Sequence, residues 1–130
     1  MNLVDTSGWI EYFFEGGSNA AFFSQAIENT DELVVSVVCI YEVFKKVNLV
    51  SDASKALRSV AQMKQGIVIA VSEEIAMKAA LLSIEHRLPM ADSLIYATGL
   101  SEKALVWTQD AHFEHLQGVK YIEKPPPEPP

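Results

Sequence analysis

The apolar residues of this chain form five short runs, separated by longer segments in which they recur every three to four positions. Short runs bounded by polar residues predict strands, and the three-to-four spacing predicts helices. The predicted strands are residues 1–5, 33–38, 67–71, 104–108 and 119–122. Helices predicted between them include residues 72–87 and 90–102, and a short helix spans 111–116. Such alternation predicts a three-layer α/β/α fold around a parallel sheet.

The ends of these segments divide the chain further. Predicted helix N-caps are Thr6 or Ser7, Ser18, Asp52 and Ser72. Residues 124–130 read KPPPEPP. Proline lacks the backbone N–H and restricts φ, so this tail is predicted to be extended and disordered. We therefore predict one domain over residues 1–123, followed by a proline-rich tail.

Composition narrows the class of protein. The chain has 130 residues, 49% of them hydrophobic, without an apolar run long enough to cross a membrane. It has one cysteine, Cys39, in an apolar stretch that predicts a buried thiol. The first residues lack the features of a signal peptide, so we expect a cytoplasmic protein. The net charge of −7 argues against broad electrostatic binding of nucleic acid, but not against a nucleic-acid enzyme.

Four acidic residues fall where an α/β fold would bring them together. Asp5 and Asp110 follow apolar runs, Glu42 lies early in the helix after the second run, and Asp92 opens a later helix. Ligand sites of parallel sheets form beyond the carboxyl ends of the strands. Clustered carboxylates repel one another unless a cation joins them, and hard oxygen ligands suit Mg²⁺ or Mn²⁺. The pattern predicts a metal-dependent hydrolase.

Small hydroxyl side chains accompany these acids. Thr6, Ser7, Ser93 and Thr108 each lie within two residues of one of them and are expected to orient the carboxylates or the waters of the metal. The alternative is that Asp5, Asp92 and Asp110 are ordinary capping and turn residues. Glu42 argues against that alternative, because a carboxylate among apolar residues seldom lacks a partner.

The segments LVDTS, IYEV, MADSLIYATG and TQDAHF together resemble the PIN domain, and most closely the VapC-type toxin ribonucleases. The resemblance spans the chain up to the proline tail. It implies a parallel sheet of strand order 3-2-1-4-5 and an Mg²⁺- or Mn²⁺-dependent endoribonuclease acting on RNA. It also implies a homodimer inhibited by a cognate antitoxin. Asp5, Glu42, Asp92 and Asp110 match the acidic quartet of the family, as catalytic and metal-binding residues.

One position departs from the family pattern. Many members carry another acid two residues after the last aspartate, where this chain has His112. The number of metal ions therefore stays open. From their spacing alone, His112 and His115 are expected to be surface residues rather than ligands of a soft metal.

Three other classes of protein are alternatives to a PIN nuclease. A receiver domain needs an acidic neighbour beside Asp5, and a haloacid-dehalogenase-type phosphatase needs an aspartate where Ser7 stands. The third, a PIN-like module that binds protein or RNA without catalysis, stays open.

Aromatic residues crowd the first two predicted helices, among them Trp9, Tyr12, Phe13, Phe22 and Phe23. Most are expected in the core, with an exposed remainder forming a groove for a partner.

Overall fold

The computed structural model describes residues 1–15 and 17–126. Its strands form one five-stranded parallel sheet of order β3-β2-β1-β4-β5. They are β1 (Asn2–Val4), β2 (Leu33–Ser36), β3 (Ile67–Ile69), β4 (Leu105–Thr108) and β5 (Val119–Tyr121). The predicted three-layer fold class and strand order are confirmed.

Six α-helices flank this sheet: α1 (Thr6–Ile10), α2 (Ala20–Ile27), α3 (Val37–Val50), α4 (Ala53–Met63), α5 (Glu73–His86) and α6 (Met90–Ser101). A π-helical turn, Glu11–Glu15, continues α1, and short 3-10 helices span Thr30–Glu32 and Ala111–Phe113. In the described part of the chain, every helix is too short or too polar to span a membrane.

Two predicted helix starts were wrong by a residue or two. The cap of α1 is Asp5, and neither Thr6 nor Ser7. The residue before α2 is Asn19 instead of Ser18, and its side chain makes no capping hydrogen bond. Asn19 instead donates to the side chain of Gln109, 2.9 Å away, so a tertiary contact replaces the local one. The predicted caps Asp52 and Ser72 are confirmed.

The second strand is shorter than predicted. It was expected to continue through Val38, but it ends at Ser36, and α3 begins at Val37. The hydroxyl of Ser36 accepts a hydrogen bond from the amide of Val38, 3.1 Å away, and so starts the helix. The valines that look like strand residues therefore form the first turn of α3.

The central strands carry the core. Leu3 and Val4 of β1 and Val34 and Val35 of β2 are almost fully buried. Gly8 allows α1 to pack tightly above them, since a Cβ atom there would lie 2.6 Å from both the Phe23 ring and Val4. This close approach holds the start of α1, and with it Asp5, against the end of β1.

The proposed domain limit at residue 123 stays a prediction. Residues 122–126 have no regular secondary structure. Residues 127–130 of the predicted disordered tail lie outside the described residues.

Candidate active site

The topology brings the four acids to the carboxyl edge of the sheet. Asp5 directly follows β1, and Asp110 lies two residues beyond the neighbouring β4. Glu42 is on the second turn of α3, which leaves the carboxyl end of β2. Helix α6 leads into β4, so its first turn, with Asp92, lies at the same edge. Parallel strands place the beginnings of the following helices and the ends of the preceding strands together.

Asp5 is the most buried of the four, with 2% of its surface exposed. Its Oδ1 accepts hydrogen bonds from the hydroxyl of Ser7 at 2.7 Å and from the amide of Gly8 at 3.3 Å. Burial raises the pKa of its carboxyl to about 7, while these two bonds and the Thr108 hydroxyl lower it and the charge of Asp110 raises it further. Asp5 is thus an acid held in place without a compensating cation.

Glu42 is fixed by a residue from a distant segment. The hydroxyl of Thr6 donates a 2.5 Å hydrogen bond to Oε1 of Glu42. Thr6 follows Asp5 directly, so this bond ties the second turn of α3 to the end of β1. Such a short bond to a carboxylate is typical of a charge-assisted contact.

Asp92 and Asp110 meet at His112. Its Nδ1 lies 3.0 Å from Oδ2 of Asp92 and 3.1 Å from Oδ1 of Asp110. Burial raises the pKa of Asp92 to about 6, and the charges of Asp110 and Glu42 add to the shift while His112 opposes it. One ligand atom from each of the three side chains lies within 4.8 Å of the others, and no further group of this kind occurs among residues 1–15 and 17–126.

The buried thiol of Cys39 lies beside the end of β1, close to the site. Its Sγ lies 3.6 Å from the carbonyl oxygen of Val4. Burial raises the pKa of Cys39 most, and the charges of Asp5, Glu42 and Asp92 raise it further. The charges of these three acids, which come from three elements, all act on this thiol. The prediction that Cys39 is buried is confirmed.

Three of the four predicted hydroxyl partners contact the acids or their backbone, and one of them is Ser7, whose hydroxyl donates to Asp5. Thr6 binds Glu42, and Oγ1 of Thr108 accepts a hydrogen bond from the amide of Asp110 at 2.9 Å. Ser93 does not: its hydroxyl donates to the carbonyl of Met90 at 2.7 Å, within its own helix. Ser93 is one residue from Asp92, but helical geometry turns it toward the buried side.

His112 is at the surface as expected, but its contacts with two of the acids were not predicted. Its ring is 57% exposed, yet Nδ1 contacts two of the four acids. The sequence signal was its place two residues after Asp110, where a short 3-10 helix returns the side chain to the site. His115 is 90% exposed beside Glu114, as expected.

The contact between Gln109 and Ser7 was not predicted. The amide of Gln109 donates to the Ser7 hydroxyl at 3.3 Å, which itself binds Asp5. No local pattern marks this contact, because Ser7 and Gln109 are 102 positions apart.

The donor set fits a divalent cation. In the described ranges, no lysine or arginine lies within 4.0 Å of the carboxylates of Asp5, Glu42, Asp92 or Asp110. Burial is the main cause of the raised pKa values of Asp5 and Asp92, and the charges of neighbouring acids add to both shifts. Carboxylate oxygens gathered around unbalanced charge are the ligands that Mg²⁺ and Mn²⁺ take in proteins.

Solved structures share this fold. A toxin–antitoxin complex from Klebsiella pneumoniae superposes with a TM-score of 0.77 at 23% identity, covering 92% of this chain and 96% of that one. Mycobacterium tuberculosis VapC20, a sarcin–ricin loop cleaving toxin, gives 0.75 at 14% identity, covering 90% and 95%. DNA-bound VapBC from Salmonella typhimurium gives 0.74 at 16% identity, covering 95% and 98%. Among curated proteins, a sequence search finds no match.

The family assignment rests on the sequence itself as well as on the fold. The profile of the PIN domain matches residues 3–119. The match runs from within β1 to the first residue of β5 and includes all four acids. This chain therefore belongs to the PIN domain family.

Proposed function

We propose that this protein is a divalent-metal-dependent endoribonuclease that hydrolyses phosphodiester bonds of RNA and is the toxin of a toxin–antitoxin pair. The observation that carries the proposal is the meeting of Asp5, Glu42, Asp92 and Asp110 at one sheet edge without a lysine or arginine to balance them. Membership of the PIN family supports a nuclease in general.

The four acids would hold Mg²⁺ or Mn²⁺. Such an ion supplies a water-derived nucleophile near neutral pH and stabilises negative charge on the phosphate. Asp5, Asp92 and Asp110 would offer hard oxygen ligands to the ion, and Glu42 would add a fourth carboxylate.

The surrounding residues keep these carboxylates in position. Ser7 and the Gly8 amide orient Asp5, while Thr6 orients Glu42. The hydroxyl of Thr108 fixes the backbone at Asp110. Because these contacts exist in the folded chain, no rearrangement of the acids is needed when substrate binds.

A cleft beside the acids suits a nucleic-acid backbone. It has a volume of about 960 Å³ and extends from Ser7 and Gln109 to the lysines Lys46 and Lys124. The cleft adjoins the acidic site through Ser7, which binds Asp5, and its two lysines, beside Glu11, would contact phosphates of a bound strand. The positive charges of these lysines partly offset, within the cleft, the net charge of −7, and this favours the approach of a polyanion.

The similar solved structures support a toxin role. One is a toxin that cleaves the sarcin–ricin loop, and others are toxin–antitoxin complexes. An RNA target for this chain would place it in the cytoplasm.

An antitoxin has a suitable docking groove between the π-helical turn and α4. Phe13, Phe14 and Val47 line its floor, and Lys55 and Arg58 line its rim. An apolar helix or extended segment carrying acidic residues would complement this groove. Trp9 and Phe23 belong to the aromatic group that was expected to be divided between the core and a partner groove. Both are fully buried and belong to the core.

A homodimer is supported by a different surface. Met77, Leu81 and Ile84 lie at helical spacing on α5 and are 59%, 68% and 78% exposed. An apolar stripe on one helix is suited to packing against the same helix of a second copy. Leu81→Asp should then convert the dimer to a monomer in size-exclusion chromatography with light scattering, and a monomeric native protein would contradict this assembly.

Cleavage of RNA tests the enzymatic proposal. Purified protein, incubated with total RNA and Mg²⁺ or Mn²⁺, should produce discrete fragments, and EDTA should stop the reaction. Asp5→Asn should lower the rate by orders of magnitude while the fold is retained. RNA binding without metal-dependent cleavage would favour a non-catalytic PIN-like module, and undiminished cleavage by Asp5→Asn would place the activity elsewhere.

Co-expression tests the partner. The protein should co-elute with the product of a neighbouring small gene, and its nuclease activity should fall in the complex. Arg58→Glu, an exposed substitution in the groove, should weaken binding of the partner while the nuclease stays folded. Separate elution with unchanged activity would leave a nuclease that is not an antitoxin-controlled toxin.

A further inference from the structure

His112 is held against two acids of the site by its own backbone. Asp110 caps the 3-10 helix Ala111–Phe113, and its Oδ1 accepts the amide hydrogen bond of His112 at 2.9 Å. The same oxygen lies 3.1 Å from Nδ1 of His112, and Oδ2 of Asp92 lies 3.0 Å from that nitrogen. The position of the imidazole is thus set by the local fold, and it presents one nitrogen to two carboxylates from different elements.

These separations match those between neighbouring ligands of one metal ion. Ligand atoms at about 2.1 Å from an octahedral ion and at right angles to one another are about 3 Å apart. The Nδ1 atom meets this distance with both carboxylate oxygens. Little movement would be needed for all three atoms to face a common ion.

We propose that His112 is a direct nitrogen ligand of the divalent cation, together with Asp92 and Asp110, and that it gives this site a preference for Mn²⁺ and Co²⁺ over Mg²⁺. The inference rests on the proposed metal-dependent function of the same site. Imidazole is a borderline ligand that favours transition metals, whereas an all-carboxylate site suits Mg²⁺. A histidine in place of the further acid also leaves the site less negative. This weakens the binding of a hard cation more than that of a transition metal.

In the opposite role, His112 would pair with Asp92 and Asp110 in place of a metal ion and so compete with it. The two roles differ in what removal of the ring does. If His112 is a ligand, its loss weakens Mn²⁺ and Co²⁺ binding. If His112 competes with the ion, its loss strengthens the binding of every divalent cation.

The test uses metal-free full-length protein and the metal ions alone. Dissociation constants for Mn²⁺, Co²⁺ and Mg²⁺ are measured by titration calorimetry for the native protein, His112→Ala and His112→Asp. Pulsed electron paramagnetic resonance of bound Mn²⁺ reports whether nitrogen is a ligand. His115→Ala is the matched control, since His115 is three residues away and does not contact the acids.

We expect nitrogen coupling in the native protein and in His115→Ala, and none in His112→Ala. His112→Ala should bind Mn²⁺ and Co²⁺ at least about tenfold more weakly and Mg²⁺ within about threefold of native. His112→Asp should reverse the preference toward Mg²⁺. Native protein without nitrogen coupling, or His112→Ala with tighter Mn²⁺ binding, would overturn the inference.

The readouts separate this inference from the proposed function. RNA cleavage with no nitrogen coupling would retain the nuclease and remove His112 as a ligand. Nitrogen coupling without RNA cleavage would retain the metal site and remove the nuclease.

Discussion

The hydroxyl of Thr6 donates a 2.5 Å hydrogen bond to Glu42, 36 residues further along the chain. This bond joins the segment that follows β1 to the second turn of α3, and it orients an acid whose charge helps to raise the pKa of Asp92. It makes the position of Glu42 dependent on a second element.

Thr6→Val should therefore loosen Glu42 without removing any acid. We expect RNA cleavage to slow by about tenfold and the free energy of unfolding to fall by about 1–2 kcal/mol, as for a lost bond to a charged group. Thr6→Ser keeps the hydroxyl and is the control. Equal rates for the native protein and Thr6→Val would show that this bond does not position Glu42 for catalysis.

Asp5→Asn should stabilise the metal-free protein. Asparagine keeps the size and hydrogen-bonding capacity of the side chain while removing a buried negative charge next to Asp110. Above pH 7, we expect the free energy of unfolding in EDTA to rise by a few kcal/mol, measured by urea denaturation. Asp31→Asn, an exposed acid outside the site, should have little effect. A destabilised Asp5→Asn would show that the charge at this position is already balanced.

The stability of the metal-free protein should depend on pH in a defined direction. Asp5 has a pKa of about 7 in the folded protein, against an ordinary value of 3.8, so the folded state holds the proton more tightly than the unfolded state. The stabilisation from this proton is complete below about pH 4 and is lost as the pH rises to about 7. Asp92, with a pKa of about 6, acts in the same direction over a narrower range. Thermal melts in EDTA should show this decline, and it should shrink in Asp5→Asn.

Lys46→Gln should weaken RNA binding through the loss of one phosphate contact. Measured in an Asp5→Asn background to prevent cleavage, the dissociation constant should rise several-fold and the slope of its logarithm against log salt should fall by about 0.7. Lys64, exposed at the end of α4, is outside the cleft, so Lys64→Gln is the control. Equal effects of the two substitutions would indicate nonspecific charge rather than a contact in the cleft.

Gly8→Ala should destabilise the fold near the site. The added Cβ would lie 2.6 Å from the Phe23 ring and from Val4, in a part of the core where neither can move freely. Overpacking of this kind costs about 1–3 kcal/mol, measurable by urea denaturation. An unchanged midpoint would mean that α1 can shift away from β1 at no cost.

The order of elements, the parallel sheet and the gathering of four acids at its carboxyl edge could be predicted from the sequence. Hydrophobic periodicity reports which segments are buried, and the alternation of strands and helices restricts the topology. In a parallel sheet, the ends of the strands and the starts of the helices that lead into the next strands lie at the same edge. Acids at these positions must therefore meet there. Asp5, Glu42, Asp92 and Asp110 could be located for that reason.

Only the tertiary structure decided which side chains contact one another. Ser93 is next to an acid in sequence but bonds to its own helix, while Gln109 reaches Ser7 over 102 positions. His112 looked like a surface residue because a lone histidine has no periodic signal, yet the 3-10 helix places it between Asp92 and Asp110. Local sequence determines where a backbone segment is buried, but side-chain partners depend on distances between segments, and those exist only after the chain has folded.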